Sequence, residues 1–170
     1  MDTYLAIMSR REVKSYSTRA LTDEAVTRIL DAGRLSGSGG NRQPWRFVVL
    51  ESRDVRERLA QLVYAPENVL GAGLVVVIAV SGKGPTSFDA GRAAQNMLLA
   101  AWNEGIGGSP NGFADAEAAA GALGLREGER PVIALSFGYP ARPRDPEARS
   151  AEEWSRRAKR KPLAEVVERI

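Results

Sequence analysis

The feature that most restricts the fold is one uninterrupted apolar run, Leu74–Val80. A half-buried strand alternates apolar and polar residues, whereas a run without polar positions is typical of a strand buried on both faces. The run is too short to cross a bilayer, which takes about 20 apolar residues in a helix. It therefore predicts a strand inside a globular domain, and a chain of 170 residues is long enough for one such domain.

Periodicity and capping residues place the other elements around this strand. Two more strands are predicted, at Phe47–Leu50 and Val132–Phe137. Helices are predicted at the N-terminal pattern Tyr4, Leu5 and Met8, after the N-caps Thr22 and Ser52, and over Ser87–Glu104 and Ala114–Leu123, with Gly33 and Gly105 as helix ends. Two more helices are predicted near the end of the sequence. One starts at the capping box of Ser150, and the other covers Leu163–Ile170, with Pro162 at its first position. Because these elements do not alternate strictly, the α+β class is expected rather than a doubly wound sheet.

The long helix at Ser87–Glu104 has an alanine-rich apolar face that runs from Ala90 to Ala101. Alanine brings two backbones close together, so this face predicts tight packing against another element of the chain or against another subunit.

The chain contains neither histidine nor cysteine. This composition excludes Ser-His-Asp and Cys-His catalysis, disulfides and cysteine metal sites, and it removes the commonest metal ligand. If the chain is an enzyme, a bound cofactor is the natural source of its chemistry, because a cofactor brings its own reactive atoms.

The charge is nearly balanced, with 24 basic and 21 acidic residues, and the basic residues cluster at Arg10–Lys14 and Arg156–Lys161. These clusters are interpreted as solvated surfaces, as an anion site or, for the second, as a nucleic-acid contact. A helix that continued through the first cluster would place Arg10 and Lys14 on one face, where a phosphate would relieve their repulsion. The second cluster lacks interleaved aromatic residues, so we do not expect a nucleic-acid partner.

Two glycine-rich segments could bring backbone N–H groups to a ligand. Ser36–Trp45 follows a predicted helix and enters a predicted strand, which is the reverse of a Rossmann or P-loop order. Gly107–Phe113 follows the long helix and, taken alone, is predicted to be a plain turn.

Together these segments resemble the nitroreductase family of flavoproteins. The residues that carry the resemblance are Arg10-Arg11-x-x-Lys14, Ser38-Gly39-Gly40-Asn41-Arg42-Gln43-Pro44-Trp45-Arg46-Phe47, Asp89 through Ala101 to Gly105, Gly138-Tyr139-Pro140 and Lys159-Arg160-Lys161-Pro162. The match extends nearly end to end, and Asn-x-Gln-Pro-Trp is its most specific part.

The resemblance implies an α+β sandwich with a mixed or antiparallel central sheet flanked by helices. It also implies an intertwined homodimer in which residues 1–170 form a single FMN-binding domain and residues 140–170 complete the dimer and the site. The implied activity is ping-pong hydride transfer from NADH or NADPH to flavin N5, and then to a small organic acceptor such as a nitroaromatic or a quinone.

The resemblance also implies residue roles. Arg10, Arg11 and Lys14 would hold the phosphate and the pyrimidine end of FMN, and Arg160 with Lys159 would close on the phosphate. Ser38, Gly39 and Asn41 would belong to a cofactor loop that reaches across the dimer, with Gln43 and Trp45 as its supports. Pro110, Asn111 and Gly112 would lie over the flavin ring, with a backbone N–H of Asn111 or Gly112 near N5.

Two departures from the family pattern affect the pocket. Position 12 is Glu where relatives usually carry a small hydroxyl residue, and the segment from Gln61 to Gly73 is short where larger relatives insert helices. A more open or differently gated pocket is therefore expected.

Two other functions are compatible with the same residues. They are a flavin-dependent dehydrogenase that oxidises a small metabolite or peptide and uses oxygen, and an FMN-binding or storage protein without turnover. No signal peptide or membrane span is predicted, so a cytoplasmic location and no membrane partner are expected.

Overall fold

The apolar run Leu74–Val80 forms strand β2 of an antiparallel sheet, and all seven of its residues are buried. The computed structural model describes residues 1–170. The sheet has four strands in the order β1-β2-β4-β3, and its other strands are β1 (Trp45–Val49), β3 (Gly107–Asn111) and β4 (Arg130–Gly138). All neighbouring strands are antiparallel, in agreement with the predicted α+β class.

Helices cover both faces of this sheet, as the composition of β2 predicts. One face packs against helices α2 (Asp23–Arg34) and α5 (Thr86–Asn103), and its residues on β2 are Leu74, Val76, Ile78 and Val80. The other face packs against α3 (Arg53–Ala60), α4 (Pro66–Leu70) and α6 (Ala116–Ala122), and its residues on β2 are Val75 and Val77. Full burial of each such side chain contributes roughly 1.5–3 kcal/mol to folding.

The alanine-rich face of α5 packs inside its own chain. Ala90, Ala93 and Ala101 are fully buried in the core that α5 shares with α2 and the sheet. The prediction of close packing against another element is therefore confirmed, whereas another subunit as the neighbour of this face is wrong. Gly33 is part of this contact, because a Cβ there would lie 2.2 Å from the Met97 Cε atom. Gly33 thus lies within α2, which ends one residue later than predicted.

Strand β3 was not predicted from the sequence, because Gly107–Phe113 was expected to be a turn. Its composition is poor in strand-forming residues, and pairing with β4 from Gly107 to Asn111 holds it extended. Its glycines provide room: a Cβ on Gly107 would lie 2.5 Å from the Val13 side chain. Pro110 is tolerated because β3 is an edge strand.

The segment that precedes α2 runs past the ends of β3 and β4. Val13 donates its N–H to the Gly108 carbonyl (3.2 Å), and Tyr16 forms an isolated bridge with Pro140. The Tyr16 hydroxyl lies 2.7 Å from the Val13 carbonyl oxygen, and burial together with the charge of Glu12 raises the pKa of Tyr16. A Cβ on Gly138 would lie 2.8 Å from the Tyr16 ring, so glycine is required there.

Several predicted caps are confirmed. Thr22, Ser52 and Ser150 accept the expected backbone N–H groups, and Ser150 forms a full capping box with Glu153. Gly105 follows α5 with a φ of 72°, as expected for a glycine after a helix. Pro162 is the N-cap residue of the last helix, α8 (Leu163–Val166), rather than its first residue, and α8 is shorter than predicted.

The chain forms two compact units, residues 12–144 and residues 1–11 with 145–170. The smaller unit contains α1 (Thr3–Ser9), α7 (Ala151–Arg157) and α8. Helix α1 ends at Ser9 with Arg10 as its C-cap residue, so the predicted helical face shared by Arg10 and Lys14 does not form. No helix of the structure has the length and the apolar character that crossing a membrane requires.

A charged pair joins β1 to the start of β4. The Arg46 guanidinium donates to both carboxylate oxygens of Glu129, with 2.7 Å between Nε and Oε1, and the Arg126 N–H also donates to this carboxylate. These hydrogen bonds lower the pKa of Glu129 from 4.5 to about 2, and the hydrogen bonding to Arg46 is the largest cause. The contribution of the ionised Glu129 carboxylate to the stability of the fold is therefore complete above pH 4.5 and is lost as the pH falls toward 2.

We predict that Glu129→Gln lowers the melting temperature at pH 7 and makes the stability between pH 5 and pH 2.5 less dependent on pH. The reason is that glutamine removes the carboxylate that titrates. Thermal melts of both proteins across this pH range are the measurement, and Glu57→Gln is the control, because the Glu57 pair with Arg53 is exposed. Equal pH profiles for Glu129→Gln and the parent would contradict the prediction.

Candidate functional site

The loop between α2 and β1 carries four of the predicted cofactor residues. The backbone is left-handed at Gly40, Asn41 and Gln43, with φ values of 58°, 53° and 48°. Asparagine tolerates this region, whereas glutamine does so at a cost of roughly 1–2 kcal/mol. The Ser38 hydroxyl accepts the Gln43 N–H (2.8 Å), and the Gln43 amide donates to the Asn41 side chain (3.3 Å). The structure therefore brings Ser38, Gly39, Asn41 and Gln43 together in a loop that supports itself.

Helix α5 fixes this loop through residues to which the sequence analysis gave no role. The buried Asp89 carboxylate accepts the Gly39 N–H at 3.4 Å. The Asn96 amide donates to the Ser36 hydroxyl (2.8 Å), and the Arg92 guanidinium covers Gly37, where a Cβ would lie 2.3 Å from Nη2. Asp89, Arg92 and Asn96 are polar residues at helical spacing beside the apolar face of α5, and this pattern is visible in the sequence. Their contact with the loop before β1 depends on tertiary packing, so the pattern of the helix does not contain it.

The side chain of Asn111 is engaged within the protein. Asn111 is 3% exposed, its amide nitrogen donates to the Ala65 carbonyl (2.7 Å), and its amide oxygen accepts the Ala65 N–H (3.2 Å). Two further bonds join the same segments, from the Tyr64 N–H to the Gly112 carbonyl (3.1 Å) and from the Ala114 N–H to the Leu62 carbonyl (2.8 Å). Asn111 thus pins the connection between α3 and α4 to the end of β3.

Gly112 follows β3 and leaves one donor available. Its carbonyl accepts the Tyr64 N–H, but its own N–H has no acceptor in the chain, although the residue is half-buried. Its φ lies outside the left-handed region, so the glycine is not required by a turn. The Tyr64 ring lies beside it, because a Cβ on Gly112 would be 3.3 Å from the Tyr64 Cδ2 atom. Neighbouring Pro110 is exposed and has no N–H to offer.

The smaller unit contains four of the five basic residues that were predicted to bind the cofactor, namely Arg10, Arg11, Lys159 and Arg160. The Arg11 guanidinium donates to the carbonyls of Met8 (2.8 Å), Arg10 (2.9 Å) and Trp154 (2.9 Å). Burial and the positive charges of Arg160 and Arg10 lower the pKa of Arg11. The structure therefore gathers Arg10, Arg11 and Arg160 into one electropositive cluster, in which Arg11 uses its donors on backbone carbonyls. Lys159 lies beside Arg160 in the chain, exposed and with a φ of 51°.

Lys14 belongs to the larger unit and is exposed. It lines a recess of about 420 Å³ together with Arg142 and Arg144, and Glu12 lies at the same recess. The loop at residues 38–43 precedes edge strand β1, whereas residues 110–112 end the opposite edge strand β3, so the larger unit presents these as two separate groups.

Comparison with known proteins now identifies the family. The model of the nitroreductase family matches residues 7–83 and 67–139. The chain belongs to the nitroreductase family.

Individual relatives agree with this assignment. A protein of Archaeoglobus fulgidus named "Putative NADH dehydrogenase/NAD(P)H nitroreductase" is 31% identical over 149 residues, which cover 82% of this chain and 86% of that protein. A "putative nitroreductase in complex with fmn" from Desulfovibrio desulfuricans is 28% identical, covers 100% of this chain and 98% of that one, and has a TM-score of 0.79. A nitroreductase family protein from Clostridium difficile 630 has a TM-score of 0.81 at 23% identity over 99% of this chain and 98% of that one, which shows the shared fold.

Proposed function

We propose that the chain is an FMN-dependent oxidoreductase that uses NADH or NADPH to reduce a small organic acceptor such as a nitroaromatic or a quinone. The observation that carries the proposal is the backbone N–H of Gly112, which is held at the end of a sheet strand and has no acceptor in the chain. A half-buried N–H that has no acceptor in the chain is available to a ligand atom, because no internal hydrogen bond has to break first.

The residues of the chain fit FMN in their chemistry. The electropositive cluster of Arg10, Arg11 and Arg160 suits a phosphate, and Lys159 adds a fourth positive charge beside it. We assign the phosphate contacts to Arg10, Arg11 and Arg160, and Arg11 keeps only part of its donors for this role because three of its N–H groups bind carbonyls. Lys14 is assigned to the pyrimidine end of the cofactor.

The remaining predicted residues keep their assignment to the flavin ring. Ser38, Gly39, Asn41 and Gln43 form the cofactor loop, and the segment Pro110–Gly112 lies along the ring. For Asn111 this assignment concerns only the backbone, because its side chain binds Ala65. In this proposal residues 1–170 act as one FMN-binding domain, which residues 140–170 complete.

FMN, when bound, supplies the two-electron chemistry through its N5 atom. The chain supplies a hydrogen-bond donor to that atom from Gly112, and a preorganised donor stabilises negative charge as it develops. No side-chain acid or base is needed for this role, which is consistent with a chain that has no histidine or cysteine.

One prediction concerns the cofactor itself. We expect the purified protein to carry FMN, and Arg10→Ala to weaken FMN binding by roughly 10- to 150-fold, as for the loss of a charge-assisted bond worth about 1.5–3 kcal/mol. Chromatography of the heat-released cofactor and titration of the apoprotein are the measurements. Arg157→Ala is the matched control, since it removes an arginine at the end of α7 that the proposal does not use. A protein that takes up only FAD, or no flavin, would contradict the proposal.

Steady oxidation of NADH or NADPH by the loaded protein separates an enzyme from a flavin-storage protein. Turnover that starts only with a reduced metabolite and oxygen would instead favour the dehydrogenase alternative.

Another prediction tests the donor of Gly112. We expect Gly112→Pro, which removes the N–H, to slow flavin reduction by NAD(P)H strongly, by up to the 100- to 1,000-fold known for oxyanion-hole donors. Gly112→Ala keeps the donor and needs only a small shift of the exposed Tyr64 ring, so its effect should be mild. Stopped-flow reduction of folded, FMN-loaded variants is the measurement. A loaded Gly112→Pro protein with the parent rate would remove Gly112 from the site.

The intertwined homodimer is also part of the proposal. The smaller unit exposes large apolar side chains, among them Tyr4 and Ile7, which lie one turn apart on α1, and Leu163, Val166, Val167 and Ile170 at the end of the chain. A second copy of the chain would remove these side chains from water. A cytoplasmic location remains a prediction.

We expect the parent protein to sediment as a dimer and the double variant Tyr4→Ser/Ile7→Ser to dissociate and lose FMN as concentration falls. Analytical ultracentrifugation with detection at the flavin absorption band measures both properties. Leu70→Ser, which changes an exposed apolar residue of α4, is the control. An active, FMN-loaded monomer of the parent protein would refute the dimer.

A further inference from the structure

Tyr64 is an exposed aromatic side chain on a fixed backbone. The residue is 75% exposed, which is unusual for a large aromatic residue of a globular domain. Its N–H is bonded to the Gly112 carbonyl, and both backbone polar groups of the next residue, Ala65, are bonded to the Asn111 amide. The ring therefore projects from a segment whose main chain is held at consecutive positions.

The structure offers no internal reason for this exposure. Tyr64 belongs to neither hydrophobic core, whereas its neighbours Leu62 and Val63 both pack into the core beneath α3 and α4. Its pairing with the end of β3 would be satisfied by any residue other than proline at position 64, because the bond uses only backbone atoms. An exposed ring on a rigid backbone is a contact surface that loses little conformational entropy on binding.

The ring lies beside the donor that the proposed function uses. Its Cδ2 and Cε2 atoms would be 3.3 Å and 3.4 Å from a Cβ on Gly112. Because Gly112 has no side chain, nothing of that residue separates the ring from the space next to its backbone. The ring therefore lies within contact distance of the space beside the Gly112 Cα, on the same residue that carries the proposed donor.

We infer that Tyr64 is a specificity-determining residue for the electron acceptor, and that Asn111 is the positioning residue that holds Tyr64 in place. This inference rests on the proposed function. The acceptor class is a planar aromatic or quinonoid molecule, which makes ring contacts with Tyr64 that a compact inorganic acceptor does not make. Aromatic pairs of this kind are worth about threefold to tenfold in binding.

The test compares two acceptors on the FMN-loaded enzyme, 2-methyl-1,4-naphthoquinone and ferricyanide. We expect Tyr64→Ala to lower the ratio of the two kcat/KM values, quinone over ferricyanide, by about threefold to tenfold, mainly through the KM of the quinone. Tyr64→Phe keeps the ring and should restore the ratio. Leu70→Ala removes an exposed apolar side chain from α4 in the same short segment and is the matched control.

A second readout does not depend on turnover. Equilibrium dialysis of 2-naphthoate, which is planar and not reduced, against the oxidised enzyme should give a Kd about threefold to tenfold weaker for Tyr64→Ala and unchanged within twofold for Tyr64→Phe.

The role of Asn111 is tested by Asn111→Asp, which can accept the Ala65 N–H but cannot donate to the Ala65 carbonyl. We expect faster amide hydrogen exchange in residues 62–66 and a lower quinone-to-ferricyanide ratio. A residue with only a structural role would lower the melting temperature and leave that ratio unchanged.

The outcomes distinguish a failure of the inference on Tyr64 from a failure of the proposed function. A parent protein that binds FMN and turns over, with the same acceptor ratio and the same 2-naphthoate Kd in Tyr64→Ala, overturns the inference and leaves the proposed function intact. A parent protein that binds no FMN overturns both.

Discussion

Burial of β2 on both faces is the constraint on which the rest of this structure depends. A strand with apolar side chains on both sides must be covered twice, and the chain does so with α2 and α5 on one face and α3, α4 and α6 on the other. This arrangement leaves the segments of the proposed site at the margins of the sheet. The proposed cofactor loop enters the edge strand β1, and Gly112 follows the other edge strand, β3.

Close approach of backbones is the second requirement, and glycine meets it at specific points. Gly107 gives room to Val13, and Gly138 gives room to the Tyr16 ring, where a Cβ would lie within 2.5 Å and 2.8 Å. These two contacts place the segment that carries Lys14 against the ends of β3 and β4. The glycines that look like ligand-binding positions in the sequence are therefore partly packing positions.

The sequence predicted the fold where the signal is local. The N-caps Thr22 and Ser52, the long helix α5 and the doubly buried strand β2 each depend on residues within one element, and all were found. Strand β3 and helix α4 were missed, because β3 is held by its pairing with β4 and α4 is only five residues long. The alanine face of α5 was recognised, but whether it meets α2 or a second subunit depends on tertiary packing that no periodicity contains.

In the candidate site, too, the sequence predicts which residues are involved, whereas tertiary packing decides which of their polar groups remain available. A family pattern assigns residues to positions, but it does not say which polar groups of a residue are already used inside the protein. Asn111 and Arg11 both match the pattern, yet the Asn111 amide binds Ala65, and Arg11 donates to three carbonyls. Gly112 matches the pattern as well and keeps its N–H available.

A ligand can compete only for groups that the folded chain leaves unpaired, since breaking an internal hydrogen bond of a buried group costs about 1–3 kcal/mol. The internal hydrogen bonds of the folded chain therefore rank the predicted residues as ligand contacts, and the sequence does not contain this ranking. The backbone of Gly112 ranks ahead of the side chain of Asn111 as a ligand contact, and the exposed Tyr64 ring is carried by the segment that Asn111 holds through the backbone of Ala65.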